Sequence, residues 1–326
     1  MLRDIEAGDD EQVAAVVQVI AAASPDVLLL TGFDFDLRNV ALRALADRLA
    51  KAGAPYPHVF ALRPNTGLRS GVDLDGDGRL GTARDAQGYG RFSGQGGMAL
   101  LSRLPILTDQ AEDFSALKWV DFPGVLLPRV NGQAFPSPTA QAVQRLSTTG
   151  HWVVPLRLPD GGTLRVLAFY ATTPVFDGPE DRNGKRNHDE IRFWQRYIDN
   201  GDVAGPFVIL GDANLDPEDG AGLHEAIRDL LADPRLQDPR PASAGAAAAA
   251  RLQGGANTRQ TGDPAQDTAD WKDTPGPGNL RVDYVLPSRD LKVTTSGVVW
   301  PAPGAPLADA AGTASRHHLV WVDVQR

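Results

Sequence analysis

The chain of 326 residues contains no cysteine. Disulfides, zinc–thiolate sites and thiol catalysis are therefore excluded, although the absence does not fix the compartment. No apolar run reaches the length of a membrane-spanning helix, and no secretory signal opens the chain. We expect a soluble protein. An exported origin stays open if an N-terminal segment was removed, because Met1 need not be the natural start, and the sequence does not indicate an oligomeric state.

The sequence also lacks a basic surplus. Its formal net charge is −9, and the densest basic stretch, residues 181–192, is interleaved with acids. Proteins that grip a nucleic-acid backbone usually carry a basic surplus or patch. The composition therefore disfavours binding of long nucleic acid.

With 42% hydrophobic and 22% charged residues, the chain can bury a large core as one α/β domain or two smaller ones. Hydrophobic periodicity predicts helices at 11–23, 36–52, 187–198 and 222–231, and strands at 27–30, 59–62, 98–102, 152–158, 164–171, 208–210, 282–286, 291–300 and 318–324. Helices and strands alternate at first and strands cluster late, which favours two packed mixed sheets with helices outside. Residues 241–278, rich in Ala, Gly, Pro and Thr, are predicted to form a mobile loop.

The segment FVILGDANLDP, residues 207–217, is typical of a buried strand that ends in polar groups. Side chains alternate along a strand, so Asp212 and Asn214 are expected to point the same way at its C-terminal end. A carboxylate beside an amide can hold a hard metal ion or orient a water molecule at a phosphate. The alternative is that Asp212 caps a turn leading into the next helix.

Two later segments place further polar residues at strand starts. RVDYVLPS, residues 281–288, contains Asp283, and SRHHLVWVDV, residues 315–324, contains His317. The ordered set GD-x-N, R-x-DY and S-x-H resembles the endonuclease/exonuclease/phosphatase superfamily, from about Pro25 to the C-terminus. That superfamily includes apurinic endonucleases, DNase I-like nucleases, inositol polyphosphate 5-phosphatases and sphingomyelinases. The resemblance implies one α/β domain over residues 1–326, a four-layer sandwich, with the family's first strand lacking from this sequence.

The resemblance also implies catalytic roles. His317 would pair with Asp283, whose carboxylate would fix the tautomer and orientation of the imidazole. The second ring nitrogen would then take a proton from water or contact a phosphoryl oxygen. Asp212 and Asn214 would orient the attacking water. The alternative for His317 is a satisfied histidine at a strand start, and His318 is predicted to be structural.

Several family positions hold other residues here. Gly32 stands where the family has its main metal-ligating glutamate, Arg316 where it has an acid beside the histidine, and Thr173 near its histidine or tyrosine. Asp34 or Asp36 would have to reach in from the following turn. Losing a carboxylate and gaining a guanidinium disfavours a divalent cation, so the Mg²⁺ or Mn²⁺ that the resemblance implies would sit in a weakened or rebuilt site. We hypothesise that Arg316 binds phosphate in place of part of the metal's role.

A loop that enters a predicted helix carries many polar side chains. A helix N-terminus beside cations is a natural anion site, so we predict substrate binding here. The alternative is a solvated helix cap. The residues concerned are Arg182, Asn183, Lys185, Arg186, Asn187 and His188.

The acidic segment at residues 71–85 resembles the first half of an EF-hand calcium loop. Asp73, Asp75 and Asp77 alternate before a glycine, but Arg84 occupies the twelfth position, so Asp85 would have to substitute for the usual glutamate. We predict a structural Ca²⁺ site; the alternative is an acidic turn without an ion.

Together these features predict a metal-dependent phosphoesterase that cleaves a phosphomonoester or phosphodiester. The acidic character favours a small or lipid-like substrate over long nucleic acid. The alternative is a ligand-binding protein on the same scaffold that has lost metal-dependent catalysis. A sequence-tolerant nuclease is a third reading, but it requires a positive groove that the sequence does not indicate.

Overall fold

The structure is a computed structural model, and it describes residues 1–325. Helices α1 to α8 cover, in order, Leu2–Ala7, Glu11–Ala23, Val40–Lys51, Pro138–Val143, Arg182–Asp199, Glu225–Leu231, Ala244–Gln253 and Ala308–Ala314. Strands β1 to β14 cover, in order, Val27–Phe33, His58–Phe60, Gly97–Ser102, Glu112–Asp113, Arg129–Val130, Gln133–Ala134, Gly150–Arg157, Thr163–Tyr170, Phe207–Asp212, Ala269–Asp270, Asn279–Leu280, Asp283–Pro287, Lys292–Val298 and Val320–Gln325.

Two sheets form the centre of the molecule. An antiparallel sheet has the order β1-β3-β2, and a mixed sheet has the order β12-β9-β8-β7-β4, in which only β8 and β9 run parallel. Their inner faces meet through apolar side chains, among them Phe60, Leu100, Trp152 and Val166. Burying these side chains is the main driving force that holds the sheets together.

Helices cover both outer faces. Leu42, Leu45 and Leu49 of α3 pack against the small sheet, together with residues of α1 and α2. On the far side, Trp194 of α5 and Ile227 of α6 pack against the large sheet. The four layers confirm the predicted α/β sandwich of two sheets with helices outside.

The ends of several elements differ from the predictions for physical reasons. Helix α3 begins at Val40 instead of residue 36, because the Asp36 carboxylate accepts the backbone N–H groups of Arg38, Val40 and Ala41 and so forms a cap. Helix α5 begins five residues earlier than predicted, at Arg182, since its polar first turns are held by internal hydrogen bonds.

The segment 241–278 contains regular structure where a loop was predicted. Helix α7 starts after Ser243, whose hydroxyl accepts the N–H of Ala246. Gly245 lets α7 approach another segment closely, because a Cβ there would stand 2.0 Å from the carbonyl oxygen of Trp300. Among the described residues, no helix is both long and apolar enough to cross a membrane.

Candidate active site

Three distant segments converge at one edge of the large sheet. Strands β9 and β12 are antiparallel neighbours, and their register puts Asp212 directly opposite Asp283. The third segment is tied to the same edge by a bridge between Ala269 and His317, and the N–H of His318 donates to the carbonyl of Thr268 at 2.7 Å. Strand pairing therefore brings together an aspartate from each of two strands and a histidine from the C-terminal segment.

The side chains of these three residues are in contact. Nδ1 of His317 lies 3.0 and 3.1 Å from the two carboxylate oxygens of Asp283 and 3.7 Å from Oδ2 of Asp212. The ligand-type atoms of all three residues lie within 4.8 Å of one another. Asp212 is 1% exposed, whereas the His317 side chain keeps 27% of its surface open to solvent. The cluster thus has a buried acid at its base and an accessible imidazole at its mouth.

The electrostatics of the cluster favour a charged imidazole. Burial opposes the charged form of His317, but the carboxylates of Asp283 and Asp212 outweigh it and raise the pKa of His317 to about 10. Burial raises the pKa of Asp212 above its usual range; His317 opposes that rise, and Asp283 adds to it. The three groups exchange protons as a unit, with His317 the preferred holder at neutral pH.

Asn214 lies one residue beyond the end of β9 and supports Asp212. Its backbone N–H donates to Oδ1 of Asp212 at 2.7 Å, and its side-chain amide donates to Oδ2 at 3.2 Å and to the carbonyl of Ala171 at 3.0 Å. Its φ of 49° is in the left-handed region, which Asn tolerates better than most residues. The asparagine therefore binds the aspartate directly.

The sequence analysis missed three neighbours of the cluster. The hydroxyl of Thr268 donates to Oδ2 of Asp283 at 2.8 Å and accepts the N–H groups of Val282 and Asp283 at 3.0 and 3.1 Å. The ring of Trp271 stands edge-on to that of His317, with centroids 5.2 Å apart. Thr268 and Trp271 lie in the segment predicted to be a loop, where no sequence pattern marked either one.

Tyr170 is the third. It ends β8 as the strand partner of Asp212, and burial, followed by the charges of Asp212 and Asp283, raises its pKa. A weak signal existed in the sequence, since Tyr170 follows an apolar run at the end of a predicted strand.

Arg316 is exposed next to the cluster. With Trp271, Lys272 and His318 it lines a cavity of about 310 Å³, and its charge opposes protonation of His317. His318 is buried and stacks on Trp300 at a centroid distance of 3.9 Å.

The turn after β1 does not supply a replacement ligand. Gly32 sits at an irregularity in the pairing of β1 with β3, with a φ of 74° that favours glycine. Oδ1 of Asp34 accepts the N–H of Gly96 at 2.9 Å, and Asp36 caps α3. Within residues 1–325, neither aspartate belongs to a group of three or more acids and histidines with converging ligand atoms.

The polar residues at the start of α5 divide into two sets. Arg186, Asn187 and His188 are buried. The Arg186 guanidinium donates to the carbonyls of Gln87, Arg145, Leu146 and Ser147, and the Asn187 amide donates to those of Thr172 and Ala213. Nδ1 of His188 lies 2.9 Å from Asp189. These three side chains brace the surrounding loops, in place of the open anion site that the sequence predicted.

Arg182 and Asn183 are half-buried. The Arg182 guanidinium donates to the carbonyl of Leu74, and the Asn183 amide donates to the carbonyl of Val175 at 2.7 Å. They join the start of α5 to the acidic loop and to the segment after β8.

In the acidic loop, ligand atoms of Asp73, Asp75 and Asp85 lie within 4.8 Å of one another. Asp77 is outside that group. Asp73 accepts backbone N–H groups of the loop, Asp85 accepts those of Leu74 and Thr82, and Arg84 lies 3.8 Å from Asp75. Hydrogen bonds within the chain thus already hold much of the carboxylate surface.

The fold and the cluster together define the chain as an α/β sandwich of the phosphoesterase type. The profile of the Endonuclease/Exonuclease/phosphatase family matches residues 5–317, and the chain belongs to that family. No curated protein matches the sequence.

Solved structures show the same fold. An endonuclease/exonuclease/phosphatase from Beutenbergia cavernae is 19% identical with a TM-score of 0.56; the alignment covers 97% of this chain and 66% of that one. A family protein from Leptotrichia buccalis is 15% identical with a TM-score of 0.54, covering 97% and 93%. One from Bacteroides vulgatus is 10% identical with a TM-score of 0.51, covering 97% and 91%.

Proposed function

We propose that the protein hydrolyses a phosphomonoester or phosphodiester, of a small or lipid-like substrate in preference to long nucleic acid. The observation that carries the proposal is the contact of Asp212, Asp283 and His317 at one open sheet edge. Family membership supports the reaction class, and the net charge of −9 disfavours a polyanionic partner.

In this proposal His317 acts as the positively charged partner of the phosphate. Asp283 holds Nδ1, so Nε2 is the nitrogen left to face a substrate. Because the two carboxylates raise the pKa of His317, the imidazolium donates to a phosphoryl oxygen or protonates the leaving group. Asp212, whose pKa is raised, is matched to accept the proton of the attacking water. Asn214 orients Asp212 through its two hydrogen bonds.

A divalent cation fits part of this donor set. Asp212 and Asp283 would hold Mg²⁺ or Mn²⁺, with oxygen ligands that both ions accept. When bound, such an ion would neutralise charge on the phosphate. The donor set is smaller than the family's, because Gly32 has no ligating side chain. We therefore propose that exposed Arg316 contributes positive charge toward the phosphate.

The test is hydrolysis of p-nitrophenyl phosphate and bis-p-nitrophenyl phosphate with Mg²⁺, Mn²⁺ or Ca²⁺. We expect measurable turnover by the wild type and a loss of at least ~100-fold in His317→Ala. His58→Ala is the matched control, because His58 lies at the start of β2, near the opposite end of the small sheet from Gly32. Equal rates in wild type and His317→Ala would reject the proposal.

Arg316 is tested separately. Arg316→Ala should raise KM or lower kcat at least ~10-fold, whereas the exposed Arg3→Ala should leave both unchanged. Unchanged kinetics in Arg316→Ala would remove the arginine from the mechanism.

The second candidate is a ligand-binding protein without catalysis. Gly32 favours it, since the family's main metal ligand is absent there and neither Asp34 nor Asp36 is free to replace it. This reading predicts no turnover with any metal but calorimetric binding of a phosphate ester that is lost in Arg316→Ala.

For the acidic loop we propose a structural Ca²⁺ ligated by Asp73, Asp75 and Asp85. Support comes from their converging oxygens and from the pKa of Asp75, which burial and then Asp77 and Asp85 raise. Calcium titration of chelator-treated protein should release heat and raise Tm, and Asp75→Asn should abolish both effects. An identical response in that variant would refute the site.

A further inference from the structure

A second acidic region lies apart from both clusters described above. A cavity of about 500 Å³ lies between the loop after β9, the segment after α6 and residues 262–267. Its acidic lining residues are Asp216, Glu218, Asp233, Asp238, Asp263 and Asp267.

Asp267 differs from the other buried acids of this cavity. It is 6% exposed, and its Oδ2 is shielded from solvent without a hydrogen-bond partner in residues 1–325. Asp216, equally buried, accepts the N–H groups of Glu218, Asp219 and Arg281. A buried carboxylate without a donor is costly, and native proteins normally pair such a group with a cation or a hydrogen bond.

The surrounding charges increase this cost. Burial raises the pKa of Asp267 to about 8, and the charges that add to the rise are those of Asp216, Asp219 and Asp263. The guanidinium of Arg281, in the same cavity, is paired with Asp238 through both carboxylate oxygens. The acidic end of the cavity therefore has a negative charge that the described chain leaves unneutralised.

We propose that Asp267 ligates a divalent metal cation in this cavity, with the neighbouring carboxylates of Asp216, Asp219 and Asp263 supplying further negative charge. An unpaired carboxylate oxygen is a hard ligand, which selects Mg²⁺, Ca²⁺ or Mn²⁺ over softer metals. The cavity has room for the water molecules that would complete the coordination shell.

The position of Asp267 gives the ion a consequence for the active site. The next residue, Thr268, holds the Asp283 carboxylate through its hydroxyl and the His317–His318 segment through its carbonyl. An ion on Asp267 would fix the segment that orients Asp283, and Asp267 would thus be a positioning residue. This effect on turnover rests on the proposed function; binding of the ion does not.

The test counts bound ions directly. Metal-free protein is titrated with Mn²⁺, and the electron paramagnetic resonance signal of the free ion gives the number bound. We expect Asp267→Asn to bind one ion fewer than the wild type, and the matched control Asp290→Asn, at an exposed position outside the cavity, to bind the wild-type number. Equal counts in wild type and Asp267→Asn would overturn the proposal.

Asp75→Asn and Asp212→Asn, measured in the same way, separate this ion from any ion in the acidic loop or the active site. If Asp267→Asn does not fold, as judged by near-UV circular dichroism, the wild type provides the answer. Bound Mn²⁺ should then broaden the amide resonances of Gln266, Asp267 and Thr268, and sharp resonances at saturating Mn²⁺ would overturn the proposal. Absence of hydrolysis would leave the ion count unchanged, so failure of the proposed function is distinguishable.

Discussion

Replacing Thr268 with valine should weaken both the stability and the activity of the protein. The substitution keeps the shape of the side chain but removes the hydroxyl. Asp283 then loses the donor at 2.8 Å, and the N–H groups of Val282 and Asp283 lose their acceptor. Thr268 is buried, so water cannot easily replace the lost partner.

The size of the effect follows from these three hydrogen bonds. A buried donor left without a partner costs about 1–3 kcal/mol, and a hydrogen bond to a charged group contributes about 1.5–3 kcal/mol. Because the three share one hydroxyl, they do not add fully, and we expect a loss of about 4 kcal/mol in the free energy of unfolding. Unfolding entropy of ~2.1 cal/mol/K per residue over 326 residues is about 0.7 kcal/mol/K, so Tm should fall by about 6 °C.

The assay pairs thermal unfolding with hydrolysis of bis-p-nitrophenyl phosphate. We expect kcat to fall by roughly 10- to 100-fold with little change in KM, because Asp283 loses its orientation while substrate contacts remain. Thr268→Ser is the matched control, since it keeps the hydroxyl and loses only a methyl group. If Thr268→Val and Thr268→Ser melt at the same temperature and turn over equally, the positioning role of the hydroxyl is refuted.

Two further predictions concern the buried polar groups of α5. Arg186→Met should lower the free energy of unfolding by about 3–5 kcal/mol in urea titration, because four backbone carbonyls lose their donor; the exposed Arg196→Met should change it by less than about 0.5 kcal/mol, and equal effects would contradict the bracing role. Burial raises the pKa of Glu190 from 4.5 to about 7, so the unfolded chain loses this proton first and the free energy of unfolding falls as pH rises through that window. The stability gap between wild type and Glu190→Gln should therefore narrow by up to about 3 kcal/mol from pH 4.5 to 7, with the exposed Glu6→Gln as control; a constant gap would contradict it.

Much of the fold could be predicted from hydrophobic periodicity. Helix α2 was predicted with the bounds Glu11–Ala23, and the β7–β8 hairpin followed from two apolar runs around a glycine turn. The pattern could not reveal the full length of α5, because its first turns carry buried polar residues. Arg186 and Asn187 look solvated in sequence, and only the carbonyls that surround them make them interior residues.

The candidate site was predictable to the extent that strand ends carry polar residues. Asp212, Asp283 and His317 each stand at such a position, and the register of β9 and β12 brings the two aspartates opposite each other. Thr268 and Trp271 could not be predicted, since their roles depend on how an irregular segment folds against the cluster.

The most direct test of the central claim, that Asp283 and His317 act as one catalytic unit, is a double-mutant cycle on bis-p-nitrophenyl phosphate hydrolysis. Because Asp283 works through the imidazole it holds, Asp283→Asn/His317→Ala should have the same kcat as His317→Ala alone. If the two single losses instead multiply in the double variant, the residues act independently and the account is contradicted.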